Sequence, residues 1–166
     1  MTDNPTPPAR TAAEAGAATA AAAASVQVAR VTTASPQVVY AIAADPRRLP
    51  EWAHGLAESS PRVRPDGVVE VDSPYGVVTV AFVPRNDLGV LDHLVTLPDG
   101  TQVLNPLRVV AHPRGAEIVF TVRRTPGTTA QEHEADAAAV QRDLDTLAAL
   151  AEGRPAEPDD RPEPRQ

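Results

Sequence analysis

The stretch Val90 to Val110, VLDHLVTLPDGTQVLNPLRVV, decides the fold. It reads as two long strands around the turn Leu97-Pro98-Asp99-Gly100-Thr101. Pro98 presets φ for the first central position, Asp99 suits the second, and Gly100 takes a positive φ. That is the chemistry of a three-residue hairpin loop closed by a glycine bulge. The register then sets Leu97 opposite Thr101, Val95 opposite Val103, His93 opposite Asn105 and Leu91 opposite Leu107. One face carries Leu91, His93, Val95, Leu97, Val103, Asn105, Leu107 and Val109. A two-residue Asp-Gly turn would instead oppose that face with Gln102, Leu104, Pro106 and Arg108, a far poorer apolar match. A slip of one residue flips every side chain, so the apolar pattern selects the register. It leaves two polar residues, His93 and Asn105, as neighbours on an inward face.

Working backward from the hairpin, Val77 to Val83 is an almost continuous β-branched run and Val68 to Asp72 alternates, with Arg62 to Arg64 a short strand before them. Ser25 to Thr33 is the first strand. Ser35-Pro36 and Asp45-Pro46 are two helix starts, each with an N-cap side chain before a proline at the first helical position. The helices they open run to Ala44 and to about Leu56. Forward of the hairpin, Glu117 to Arg124 is the last strand. Thr129-x-x-Glu132 is a capping box. Behind it Ala137, Val140, Leu144, Leu147 and Ala151 fall on one helical face, and Gly153 stands at the C-cap. Hairpin connections make the sheet antiparallel. A single long helix with one apolar stripe buries it on the concave face of that sheet, so the class is α+β.

The ends differ from this core. Residues 1–24 are mostly Ala, Thr, Pro and Gly, and residues 153–166 are Pro-rich and acidic. Neither carries apolar side chains enough to offset ordering entropy, so both are expected to be disordered tails around one domain at residues 25–152. The net charge is −7 and all fifteen basic residues are Arg, without basic clusters, which argues against a nucleic-acid surface. With no Cys there are no disulfides and no thiolate metal sites. His54, His93, His112 and His133 are scattered, so no metal is expected, and no cofactor fingerprint is present. No run of about 18 apolar residues predicts a transmembrane helix. The start of the chain lacks a signal-peptide pattern, and the expected location is the cytoplasm.

Several residue groups bring a resemblance. They are Ser35-Pro36-x-x-Val39-Tyr40, Asp45-Pro46-x-x-Leu49-Pro50-x-Trp52-Ala53, Phe82-x-Pro84-Arg85-Asn86, Gly89-Val90-Leu91-Asp92-His93, Asn105-Pro106-Leu107-Arg108-Val109, and Phe120-Thr121-x-x-Arg124-x-Pro126-Gly127. Over residues 25–152 the chain resembles the START-like, or Bet v 1-like, superfamily. It looks closest to the bacterial SRPBCC branch labelled polyketide cyclase/dehydrase and lipid transport. The resemblance implies a helix-grip fold: a curved seven-stranded antiparallel sheet wrapped on the C-terminal helix, with two short helices after strand one. It also implies a cavity between sheet and helix for an apolar or aromatic molecule. It implies no particular reaction, because the superfamily spans carriers, cyclases, dehydratases, co-chaperones and oxygenase subunits.

The candidate ligand-binding residues are Trp52, Val80, Phe82, Leu91, His93, Asn105, Leu107 and Phe120. His93 and Asn105 are also the catalytic candidates, His93 as general acid/base and Asn105 orienting a carbonyl. The bland alternative is a cross-strand hydrogen bond in which each satisfies the other. Asp92 falls on the opposite face and pairs outward, with Arg108 the candidate partner. Arg85-Asn86 structures its loop or binds a carboxylate, and one of Arg123 and Arg124 reaches the cavity mouth or stays in solvent. Trp52 and Tyr40 line the pocket rim or plug the core. Three functions follow: binding of a small apolar molecule, a cyclase or dehydratase, and a scaffold that binds a partner without a ligand.

Overall fold

In the computed structural model, which describes residues 24–57, 59–74, 76–125 and 127–154, the hairpin forms in the expected register. Leu97 N–H donates to Thr101 O at 2.9 Å, Gly100 N–H donates to Leu97 O at 2.9 Å, and Gly100 has φ +87°. His93 pairs with Asn105 and Val95 with Val103. The expected tails lie outside the described residues except for Ala24, Gly153 and Arg154, as do Tyr75 and Pro126 of two expected turns.

The chain runs β1 (Ser25–Thr32), α1 (Pro36–Ala43), a 3-10 turn (Pro46–Arg48), α2 (Leu49–Trp52) and β2 (Arg62–Val63). Then come β3 (Val69–Ser73), β4 (Gly76–Phe82), β5 (His93–Thr96), β6 (Gln102–Asn105), β7 (Leu107–His112), β8 (Gly115–Arg123) and α3 (Ala130–Ala151). Every strand pairing is antiparallel.

Two expectations need correction. The single seven-stranded sheet is instead eight strands in two sheets, ordered β2-β3-β4-β5-β6 and β1-β8-β7. The second arm of the hairpin, read as one strand, breaks at Pro106. Proline has no N–H for the ladder, so it interrupts a strand that must pair on both sides. β6 stays with β5, while β7 moves across to β8. The second short helix is also shorter than expected, ending at Trp52 rather than near Leu56. Pro50 within it removes a donor, and Ala53 leaves helical geometry at φ −97°, ψ 59°.

The long helix forms as its signals direct. The Thr129 side chain accepts from Glu132 N–H while the Glu132 carboxylate accepts from Thr129 N–H, the reciprocal capping box. Gly153 closes the other end at φ +69°. α3 packs on β1 and β8 and against α1 and α2. Its burial is uneven. The C-terminal half buries Leu144, Leu147, Ala148 and Ala149, whereas Ala137 and Val140 in the N-terminal half are only half-buried. No helix among the described residues is long and apolar enough to cross a membrane.

The C-terminal half is also clamped by a charge. Glu152 Oε1 accepts from Thr32 Oγ1 at 2.7 Å, Thr33 N–H at 2.8 Å and Thr33 Oγ1 at 3.1 Å. These donors lower its pKa from 4.5 to about 2. A carboxylate depressed in the folded state contributes stability that is present above its unfolded value and lost as pH falls through the folded value. Glu152→Gln is therefore expected to flatten the pH dependence of stability between about 4.5 and about 2, measured by denaturant unfolding across that window. Glu152→Ala is expected to cost about 2 kcal/mol at neutral pH, the scale of hydrogen bonds to a charged group. An unchanged acid profile in the Gln variant would refute the clamp.

Candidate functional site

The candidate site begins with a gap in the hairpin ladder. Leu91 faces Leu107 in the register, and Leu91 N–H donates to Leu107 O at 2.9 Å. A hydrogen-bonded antiparallel pair exchanges two such bonds. Here the return bond is replaced by two side chains. Leu107 N–H donates to Asp92 Oδ1 at 3.0 Å, and Leu91 O is taken by His93 Nδ1 at 3.1 Å. Asp92 points outward and also forms an ion pair with Arg108. His93 points inward and is 4 % exposed.

This bond settles the His93 ring. A carbonyl oxygen only accepts, so Nδ1 must carry the hydrogen. In the neutral ring Nε2 is then a bare acceptor, and it has no hydrogen-bond partner among the described residues. Burial pushes the His93 pKa below 6.5 and outweighs the bond to Leu91 O, which acts in the opposite direction. Asn105 pairs with His93 across the strands, yet no hydrogen bond joins their side chains. The mutual satisfaction expected of the pair does not occur.

The surroundings of His93 are aromatic. Phe82 pairs with it across β4 and β5, with ring centroids 5.0 Å apart. Phe120 approaches from the other sheet, edge to face at 6.1 Å. These are the only two Phe in the chain, so its scarce large rings converge on one imidazole. All three stand on the inward face, since Val78, Val80, Ala116 and Ile118 at the same strand parity are buried. Phe82, Phe120 and Asn105 nevertheless remain half-buried, as do Leu97 and Val103. The inward face is thus fully buried in one part and half-buried in another.

The eight sequence candidates divide accordingly. Phe82, His93, Asn105 and Phe120 come together at the partly open end. Leu91 is 3 % exposed beneath them, and Val80 and Leu107 have no exposure at all, forming a closed floor. Trp52 is 4 % exposed, and its enclosed Nε1 has no hydrogen-bond partner among the described residues. It fills the core between the helices rather than walling a rim. Arg85 donates to Ala44 O at 3.2 Å and Arg124 Nε to Thr128 O at 2.8 Å, so both tie down chain segments. Tyr40 serves the same end, its hydroxyl accepting from Asn86 N–H at 3.0 Å.

Sequence reasoning missed a concavity elsewhere on the molecule. A groove of about 720 Å³ lies between α1, the loop after β4 and β7, lined by Tyr40, Arg85, Asn86 and Val110 among others. None of the eight candidates lines it. Its wall is the loop that Asn86 organises, through Oδ1 accepting from Leu88 and Val90 N–H and Nδ2 donating to Pro84 and Val90 O. The proline-flanked Asn86 was the signal for such a loop.

No family model matches the chain, and neither does any curated protein. Solved structures do. Ara h 8.0201 is 12 % identical, with 79 % of this chain and 99 % of that chain covered at a TM-score of 0.61. DynU16, from the dynemicin biosynthetic locus, is 18 % identical at a TM-score of 0.61, covering 81 % of this chain and 50 % of that one. Protein CV1439 from Chromobacterium violaceum is 20 % identical at a TM-score of 0.58, covering 77 % and 97 %. Identities this low show the fold alone. The shared architecture is antiparallel strands with a long C-terminal helix.

Because burial lowers the His93 pKa, the ring contributes stability that is fully present above about pH 6.5 and lost as pH falls toward the folded-state value. NMR of the ring nitrogens is expected to show His93 neutral and protonated at Nδ1 at pH 6.5. A His93 that is half-protonated or more at that pH, or that carries its hydrogen on Nε2, would contradict the site.

Proposed function

We propose that this protein binds an apolar or aromatic small molecule at the partly open end of its interior, as a member of the bacterial SRPBCC branch it resembles. One observation carries the reading. The chain's two Phe side chains flank a buried histidine on the inward face, and both are only half-buried. Ligand sites are mostly apolar concavities with a few placed polar groups, and this combination has that make-up. A molecule entering between Phe82, Phe120, Asn105 and the N-terminal half of α3 would cover surface that the protein's own packing leaves uncovered. Each fully covered aromatic ring is worth about 1.5–3 kcal/mol.

The alternative of a cyclase or dehydratase using His93 as general acid/base is less well supported. A catalytic histidine is commonly oriented by a carboxylate on its second nitrogen. Here the neighbouring carboxylate, Asp92, is engaged outward with Arg108 and Leu107 N–H, and the ring is held by a neutral carbonyl instead. That arrangement suits holding a ligand better than moving protons near neutral pH.

Mass spectrometry of small molecules extracted from freshly purified protein is expected to find an aromatic or lipid species in near-stoichiometric amount. Phe120→Ala is expected to reduce its retention about tenfold, the scale of one lost ring contact plus its buried area. Protein that carries nothing, and that binds no apolar probe in titration, would refute the proposal.

A further inference from the structure

The inward row across β4, β5 and β6 reads Phe82, His93, Asn105, with Phe120 opposite. Within it the Nε2 lone pair is an acceptor with no donor. Among the described residues the enclosed side-chain atom without a partner is Trp52 Nε1, so His93 Nε2 keeps a little accessible surface. A ligand that covered it without donating would leave it unpaired, at a cost of about 1–3 kcal/mol. Rotating the ring to hide it would break the bond to Leu91 O, and Leu91 O would then lose the donor that replaces its missing ladder partner. The tautomer is thus locked by the backbone defect, and the acceptor belongs to an imidazole that two Phe rings approach. The buried residues sharing this part of the inward face are apolar, Val80, Leu91, Val95, Leu107 and Ile118, and Arg124, which has the strand parity of Phe120, is held through Nε by Thr128 O.

We propose that the site selects an uncharged aromatic molecule bearing a hydroxyl, which donates its hydrogen to His93 Nε2 while its ring packs against Phe82 and Phe120. This rests on the binding function proposed above and names the ligand class for it. Three features define that class. The apolar walls accept a ring. The bare lone pair asks for a donor, which an ether, ester or ketone lacks. Arg124, a cation of the same parity as Phe120, is already held by Thr128 O, so a carboxylate among the apolar residues named above would lack a free counter-charge and would enter at the cost of its desolvation. Sites built to hydrogen-bond a substrate hydroxyl discriminate strongly against the analogue lacking it, because the buried polar group is then left unpaired.

The test compares three probes of similar size in calorimetric titration at pH 7.5: 2-naphthol, 2-methoxynaphthalene and 2-naphthoate. The expected result is 2-naphthol binding about tenfold or more tighter than the methyl ether, with no measurable binding of the carboxylate. His93→Phe is expected to erase the difference between naphthol and ether while keeping binding of the ether. Should that variant fail to fold, the wild-type protein still decides: naphthol, and not the ether, is expected to shift the His93 Nε2 nitrogen resonance toward that of a hydrogen-bonded acceptor. Equal affinity for naphthol and ether, or tight binding of naphthoate, would overturn the hydroxyl inference and leave the pocket intact. Binding of none of the three would remove the pocket itself, and this inference with it.

Discussion

The structure turns on one backbone hydrogen bond that is not made. Regular pairing of Leu91 with Leu107 would send Leu107 N–H to Leu91 O. Pro106, directly before Leu107, has no N–H for the ladder, and the return bond beside it is not made although the register continues to the Val90–Arg108 bridge. Two buried polar groups would then be stranded, and few such groups go unpaired in folded proteins. Adjacent residues of the facing strand repair both ends, Asp92 supplying an acceptor and His93 a donor. Because neighbours on a strand point to opposite faces, the repair is outward at Asp92 and inward at His93. A polar ring is thereby fixed inside an apolar interior, at the place where one sheet hands over to the next.

The same break shapes the interior around that ring. β7 leaves β6 to pair with β8, so Phe120 reaches the end of the five-stranded sheet and meets His93 from the side. The long helix is anchored at its other end, by Glu152 on Thr32 and Thr33 and by Leu144 and Leu147 in the core. Its N-terminal half is held more lightly, with His133 Nε2 within 3.3 Å of Val122 O and no fully buried side chain before Leu144. The C-terminal half is thus the tightly packed part of the helix and the N-terminal half the less buried one.

Much of this could be read before any coordinates. The Pro98-Asp99-Gly100 turn and the apolar alternation together fixed a register in which His93 faces Asn105, and helix caps at Ser35 and Thr129 marked two helix starts. These are local signals, each with its chemistry contained within a few residues. What escaped was non-local. Pro106 was visible as an obstacle to a strand, but which groups would answer for the lost bond depends on the facing strand's side chains reaching across the gap. The Glu152 clamp joins residues about 120 apart, and no periodicity announces it. Trp52 could be assigned to the interior, but whether its indole N–H would find an acceptor depends on packing among three helices.

Reading His93 and Asn105 as neighbours was correct in position, but the hydrogen bond by which each would satisfy the other does not form. Register brings two side chains close, but hydrogen bonding is competitive, and the carbonyl of Leu91 outbids the amide of Asn105 because it has no other partner. That competition also explains why Asp92 and His93, adjacent in sequence, do not act together. A carboxylate on the ring would raise its basicity and make it a proton carrier. Here the strand sends the carboxylate outward to Leu107 N–H and Arg108, and the ring receives a neutral carbonyl and an apolar enclosure. The carbonyl bond raises the basicity of the ring and burial lowers it by more, while the same bond fixes the ring's orientation. Burial rather than the hydrogen bond therefore keeps the ring neutral, and the defect at Pro106 decides which of its nitrogens carries the hydrogen.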